Sequence, residues 1–208
     1  GGENAFTLSS REAKNLIDKR KDSRRNQTVH LTDVLEKAKV LSGYAEPEQE
    51  VKSVFRGRYQ RDGYAVEMYA LHGEGNYVIP LLVFVPGTGT DFSSIIYIHP
   101  KGKIADAASG GKIEQLVKKG YIVAAPDVIG TGEVAPDNAD GTDYIPNYVA
   151  LLIGRSIPGI QSGDISRVVN FLKGRDDADK NNICAVAFDE MCPALLHAAA
   201  FNKSIKSI

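Results

Sequence analysis

Hydrophobic and polar positions change rhythm twice along the chain. Residues 8–42 are polar and helix-prone: Ser9 and Glu12 have the spacing of a capping box, and Thr32, Leu35, Ala38 and Leu41 space a second helix that Gly43 stops. Glu46-Pro47-Glu48 reads as a break. From 51 to 86 the period falls to two, with β-branched and aromatic residues, which predicts strands over 51–60, 64–71 and 77–85. Asp62-Gly63 and Gly73-Glu74-Gly75-Asn76 turn these strands into an antiparallel meander, with Pro80 expected at an edge or bulge. After Gly87-Thr88-Gly89 strands alternate with helices: strand 94–98, helix 104–119, strand 121–125, helical periodicity over 148–153 and 165–172, then strand 182–187. Such alternation implies right-handed crossovers and a mostly parallel sheet covered on both faces by helices.

The stretch 183–201, ICAVAFDEMCPALLHAAAF, organises the rest. Its first five residues form the short apolar run of a strand buried on both faces, and Pro193 opens an Ala- and Leu-rich helix. Only Phe188, Asp189, Glu190, Met191 and Cys192 separate the two, so the chain turns sharply. That turn presents one side chain and a set of helix N–H groups at the carboxyl edge of the sheet, where α/β proteins build sites. Residues 204–208 look like the beginning of another strand, so the sheet is expected to be incomplete at its C-terminal side.

Strand, tight turn and Ala-rich helix resemble the nucleophile elbow of the α/β-hydrolase fold, whose pattern is Gly-x-Ser-x-Gly. The pattern falls on Ala187, Phe188, Asp189, Glu190 and Met191, so both glycines and the serine are replaced. The resemblance covers residues 51–208 and is greatest to the acetyl-xylan-esterase-like and dienelactone-hydrolase-like branch. Its carriers are IIYIHPKGK at 95–103, DVIGTGE at 127–133, LLIGRSIPGIQSGDISRVVNFL at 151–172, and the elbow. Members of that branch commonly show His-Gly after the first of these strands and Asp-x-Arg-Gly-x-Gly after the second. Here Pro100 follows His99, and Ile129 stands for the arginine. The resemblance implies an α/β-hydrolase fold over 46–208, preceded by a helical segment or linker over 1–45. Families of this kind often carry two hydrolase-like domains, which makes an inter-domain linker a natural reading of that segment.

Acyl transfer needs a nucleophile, a base held by an acid, and N–H donors aimed at the developing oxyanion. Carried over from the resemblance, the donors are the backbone N–H of Glu190 and one from Lys101 or Gly102; Pro100 has none to give. Asp189 stands at the serine position. A carboxylate there could attack an alkyl carbon, as in the resembling dehalogenases and epoxide hydrolases, but it suits ester hydrolysis poorly. The bland alternative is that Asp189 caps the helix. Only His197 follows the elbow, inside the Ala-rich helix, where packing is the simpler role. His99, Thr131 and Glu133 are the pocket candidates, and His30 and His72 lie too early in the order. Two readings follow. One is a hydrolase acting on carbohydrate esters; the other is a domain that keeps the fold without the chemistry and binds a carbohydrate or a partner domain. The missing serine, acid and histidine favour the second.

Composition narrows the partners. The 208 residues are 43% hydrophobic and 25% charged with a formal net charge of -1, so no basic excess serves nucleic acid. Lys19, Arg20, Lys21, Arg24 and Arg25 cluster, but Asp18 and Asp22 break the cluster into a solvated face. Cys184 and Cys192 have neither CxxC nor metal-ligand spacing and read as free thiols. No cofactor is implied: Gly130-Thr131-Gly132 lacks the third glycine of a dinucleotide loop, and Gly110-Gly111-Lys112 lacks the rest of a P-loop. Asp137, Asp140 and Asp143, with Asn138 and Gly141, faintly suggest calcium but lack a closing glutamate, which leaves a solvated loop and no metal. No apolar run is long enough to span a membrane, and no signal peptide opens the chain. Gly1-Gly2 reads as a cloning remnant, which leaves a removed signal open; polysaccharide-ester chemistry would favour export.

Overall fold

The computed structural model describes residues 3–25, 27–136 and 145–208. Two units divide it, Gly1–Val40 and Leu41–Ile208, where the sequence reading had placed a boundary at 45. In the first unit, helix α1 (Ala5–Ser23) starts earlier than the sequence suggested. Asn4, not Ser9, is its cap: the Asn4 side chain accepts from the Thr7 N–H, and the Thr7 hydroxyl accepts from the Asn4 N–H, both at 2.9 Å. Ser9 and Glu12 therefore sit inside the helix, where they cannot cap it. Helix α2 (Gln27–Ser42) ends at Gly43, which has φ of 64° and supplies the left-handed residue that stops a helix.

The second unit is built on a six-stranded mixed sheet in the order β1-β2-β3-β5-β4-β6. Strands β1 (Ser53–Arg61), β2 (Tyr64–His72) and β3 (Val78–Pro86) form the expected antiparallel meander, and β3 pairs antiparallel with β5 (Ile122–Pro126). Strand β4 (Phe92–Ile98) is parallel to both β5 and β6 (Ala178–Ala187). Beyond β6, Ile205 bridges Ile183 in parallel, with Lys206 N–H donating to the Ile183 carbonyl at 2.9 Å. Residues 204–208 thus lie along β6 as a next strand would.

Pro80 is not at an edge. It lies inside β3, opposite Ala70. Its carbonyl accepts from Asp127 N–H at 2.8 Å, so its missing N–H faces the β5 side just past the last ladder pair, Leu81 with Pro126. The absent donor falls where the ladder has already ended, which is why the residue is tolerated. The helix expected over 104–119 is confined to α3 (Lys112–Lys118). Gly102, Asp106 and Gly110 before it have φ of 76°, 55° and 80°, which keeps the segment in turns.

Alternation along the strands sorts the core into two layers. Ile79, Leu81, Val83, Ile96, Ile98, Ile122 and Ile183 face one side, under α5 (Ile157–Lys173), which follows the short helix α4 (Ile145–Leu152), and under α6 (Cys192–Phe201). Phe84, Tyr97 and Val123 face the other, under Ile113 and Val117 of α3. Helices therefore cover both faces, and the buried strands read as near-continuous apolar runs. Helix α5 begins well before the predicted 165, because Ser156 caps it by accepting from Gly159 N–H at 3.1 Å and Pro158 occupies its first turn. Gly159 and Gly163 let it approach the segment after α2: a Cβ on Gly159 would overlap the Ser42 carbonyl. That segment runs as a strap over α5, tied by the Tyr44 hydroxyl to Ser166 at 3.2 Å and by Asn170 Nδ2 to the Glu48 carbonyl at 2.9 Å.

Asp164 of α5 is fully buried and joins three elements. The Tyr77 hydroxyl donates to its Oδ1 at 2.6 Å and the Ile129 N–H to its Oδ2 at 3.1 Å, while the Arg167 guanidinium stands 3.8 Å away. Burial dominates and pushes the Asp164 carboxyl up to about 6 despite these partners. The folded chain therefore holds this proton more tightly than the unfolded one, whose value is 3.8. Asp164 thus lowers stability as pH rises between these values, by up to about 3 kcal/mol at ~1.4 kcal/mol per unit. Asparagine keeps the acceptor for Ile129 and can donate to the Tyr77 oxygen. Denaturant titrations of Asp164→Asn against the parent should give a difference in stability that moves in the variant's favour between pH 4 and 6 and is level above pH 7.

Candidate functional site

The strand-to-helix turn forms as the sequence implied. Phe188 N–H donates to the Ile98 carbonyl at 3.1 Å, so the β4–β6 pairing holds right up to the turn. Asp189 then takes φ of 49° and opens a 3₁₀ turn over Asp189–Met191 that leads directly into α6. A non-glycine residue in the left-handed region is held there against a preference of about 1 kcal/mol or more, the kind of backbone strain that an elbow stores. The Asp189 side chain is exposed, and among the described residues its carboxylate has no hydrogen bond or ion pair. It does not cap α6: the cap position is Met191, with no side-chain bond. Glu190, next to it, is exposed as well.

The loop after β4 turns inward. Gly102 N–H donates to the His99 carbonyl at 2.8 Å, and Lys101 N–H donates to His99 Nδ1 at 3.1 Å. Both candidates for the loop donor, Lys101 and Gly102, are thereby engaged within the loop, and Pro100 before them contributes none. His99 lies against the elbow, its ring 5.4 Å from that of Phe188. Phe188 also meets Tyr97 at 5.0 Å and lies under the Lys112 ammonium at 5.0 Å. Lys112 stands 3.5 Å from Asp106, which accepts from the Tyr97 hydroxyl at 2.6 Å. That hydroxyl bond, aided by Lys112, holds the Asp106 carboxyl below its ordinary value; burial, with Asp106 beside it, raises the Tyr97 phenol.

The loop after β5 is fixed by a group the sequence reading passed over. Asp127, wholly buried, accepts from Lys103 N–H at 2.5 Å and from Glu133 N–H at 3.0 Å, and its Oδ2 lies 2.6 Å from the Lys103 ammonium. Lys103 also pairs with Glu133 at 2.5 Å. Gly102 and Gly132 press their backbones on the carboxylate, where any Cβ would overlap it. Gly132 of DVIGTGE was the available signal: it is needed for close approach to an aspartate, not for a nucleotide loop. Of the pocket candidates in this loop, Thr131 is buried with its hydroxyl donating to the Val128 carbonyl at 2.8 Å, and Glu133 is engaged by Lys103. His197 packs in α6 with its ring 5.6 Å from Phe201.

Among the described residues, no group of three or more His, Cys, Asp or Glu side chains is placed to hold a metal ion, and no helix is long and apolar enough to cross a membrane. The calcium-like residues Asp137 to Asp143 lie outside the described residues. A cleft of about 1180 Å3 is lined by Tyr69, Phe171, Arg175 and neighbours, with no residue of the elbow in its wall.

The sequence matches no protein-family model and no curated protein. Solved structures do share the fold. An acetyl xylan esterase candidate of Bacteroides fragilis NCTC 9343 superposes with a TM-score of 0.72 at 21% identity, over 89% of this chain and 52% of its own. The acetyl xylan esterase of Paenibacillus sp. R4 gives 0.61 at 19%, over 84% and 56%. A glucuronoyl esterase of Solibacter usitatus gives 0.64 at 12%, over 86% and 56%. The chain has the α/β-hydrolase fold found in these carbohydrate esterases, and it spans about half the length of each structure.

Two substitutions test this site without reference to activity. Asp189→Gly should stabilise the chain by about 1 kcal/mol in denaturant unfolding, since glycine adopts the elbow φ freely. Lys103→Met should cost about 3–5 kcal/mol by leaving the Asp127 carboxylate buried without its cation, a loss measurable in the same assay.

Proposed function

We propose that this chain supplies the elbow-bearing part of a carbohydrate-esterase-like hydrolase fold and acts there as a binding or scaffolding domain, without acyl transfer at its elbow. The observation that carries this reading is the Asp189 carboxylate, exposed at φ of 49° with no base and no partner among the described residues. An elbow nucleophile for ester hydrolysis is a hydroxyl or thiol whose proton a base removes. A carboxylate attacking an ester carbonyl would form an anhydride by expelling a far more basic alkoxide, and the tetrahedral adduct instead returns to starting materials. Two further features support the reading. The Lys101 and Gly102 N–H groups are spent on His99, which leaves an oxyanion without its second donor. His197, the only histidine after the elbow, is packed on Phe201. The likeness to acetyl xylan and glucuronoyl esterases supports a carbohydrate ester, or a neighbouring hydrolase-like domain, as what the domain meets.

Hydrolysis of a small acetyl ester by the parent chain, Asp189→Ala and Asp189→Ser is the test. All three are expected at the buffer rate within a factor of a few, because the serine form has neither base nor complete donor pair. Turnover by the parent that Asp189→Ala abolishes would overturn the proposal and make Asp189 a working nucleophile.

A further inference from the structure

Helix α4 inverts the pattern of the other helices in its unit. In α3, α5 and α6 large apolar side chains such as Ile113, Ile165 and Leu195 are the buried ones. In α4 the small Ala150 is buried, while Leu151, Leu152 and Ile153 are each 68% exposed, Tyr148 61% and Val149 49%. Ile153 stays on the helical ladder, its N–H donating to the Val149 carbonyl at 3.3 Å. At one residue per 100° the five exposed side chains span an arc of roughly 200° opposite Ala150. Leu41, exposed as well, is held beside the end of the helix, because the Ser42 carbonyl accepts from Ser156 N–H at 3.1 Å and Gly43 abuts Gly154. No described residue covers this face. From Tyr144 to Gly154 the sequence carries no charge, and Arg155 beyond it is turned to Glu74. A contiguous apolar surface of this kind marks a place of association.

We propose that this face is an interface between two copies of the chain, with α4 packed against α4 about a two-fold axis. Area, charge and symmetry select a second copy. The five side chains and Leu41 expose about 700 Å2, so a pair would bury about 1,400 Å2, inside the range of specific protein interfaces. A bilayer surface holds an amphipathic helix that carries Lys or Arg on its polar face, and α4 has neither. A partner of different sequence is selected by complementary charge, and apart from Asn147 and the Tyr148 hydroxyl the helix offers no polar side chain to read. A two-fold axis asks only that the face match itself, which an uncharged apolar helix does without repulsion. The inference does not depend on how Asp189 is read.

Light scattering coupled to size-exclusion chromatography of the full chain tests it. At micromolar concentration the parent should have twice the 22.5 kDa of one chain. Leu151→Asp and Leu152→Asp together should raise the dissociation constant of the pair about a hundredfold or more. They should leave the circular dichroism unchanged, since both side chains stand in water in the single chain. Leu152→Met, which keeps the apolar surface, and Phe55→Asp, on exposed β1, should both leave the pair intact. Amide hydrogen exchange of the parent gives a readout that needs no variant: protection over 148–153 should rise with chain concentration. A parent at the mass of one chain throughout the micromolar range would overturn the inference. So would a pair that survives both aspartates, a pair abolished by Phe55→Asp, or exchange over 148–153 indifferent to concentration. A single chain that sediments with phosphatidylcholine–phosphatidylserine vesicles and loses them with the two aspartates would overturn it as well, and would assign the face to a membrane.

Discussion

A single carboxylate withdrawn from water, Asp127, holds the carboxyl edge of the sheet in place. Its oxygens take the N–H of Lys103 from one loop, the N–H of Glu133 from its own, and the Lys103 ammonium between them. A buried charge tolerates this position only when its lone pairs are met and its counter-charge is fixed, so the two loops cannot drift apart without exposing an unpaired ion. The same demand explains the glycines. Gly102 and Gly132 are where the two backbones touch the carboxylate, and both have positive φ, 76° and 51°. Asp164 repeats the device one layer away, tying Ile129 of the β5 loop to Tyr77 and α5. The edge on which the elbow sits is thus set by two buried acids, neither of which takes part in chemistry at the elbow.

Period-two alternation from 51 to 86 and the βα rhythm after it were legible because burial on a sheet dictates side-chain type residue by residue. The strand-turn-helix at 183–201 was legible for the same reason. The misses share a cause. Helix α5 was read as starting at 165 because Gly159, Ser162 and Gly163 lack apolar mass, yet they are buried, since the helix comes close enough to the strap that only small residues fit. The helix over 104–119 shrank to α3 because positive φ at Gly102, Asp106 and Gly110 is a backbone property that periodicity does not register. An edge or bulge is expected for Pro80 on the correct premise that it donates no hydrogen bond; which of its neighbours needs the donor is a matter of register, fixed only by where β5 ends. At the site, Asp189 could be placed from the sequence, but the inward turn of Lys101 and Gly102 could not, because it depends on His99 accepting through both its carbonyl and its ring.

The elbow shows how far backbone geometry and side-chain chemistry can part. Everything that shapes it lies outside the reacting position: the β4 carbonyl that receives Phe188, the ring contacts of Phe188 with Tyr97 and His99, and the helix that starts at Cys192. Aspartate is among the residues least penalised at positive φ, so the turn tolerates it at the tip.

That separation also constrains where a retained function could reside. With the donors of the β4 loop committed to His99 and the cleft at Tyr69 and Phe171 lined without the elbow, the polar capacity left unmatched in this unit lies elsewhere. Among the described residues it is spread over four buried atoms, Ser94 Oγ, Arg155 Nε, Arg167 NH1 and His197 Nδ1, none of them in the elbow turn. The buried charge of Arg167 is compensated by the Asp164 carboxylate 3.8 Å away, the same group that the Tyr77 hydroxyl and the Ile129 N–H hold in place.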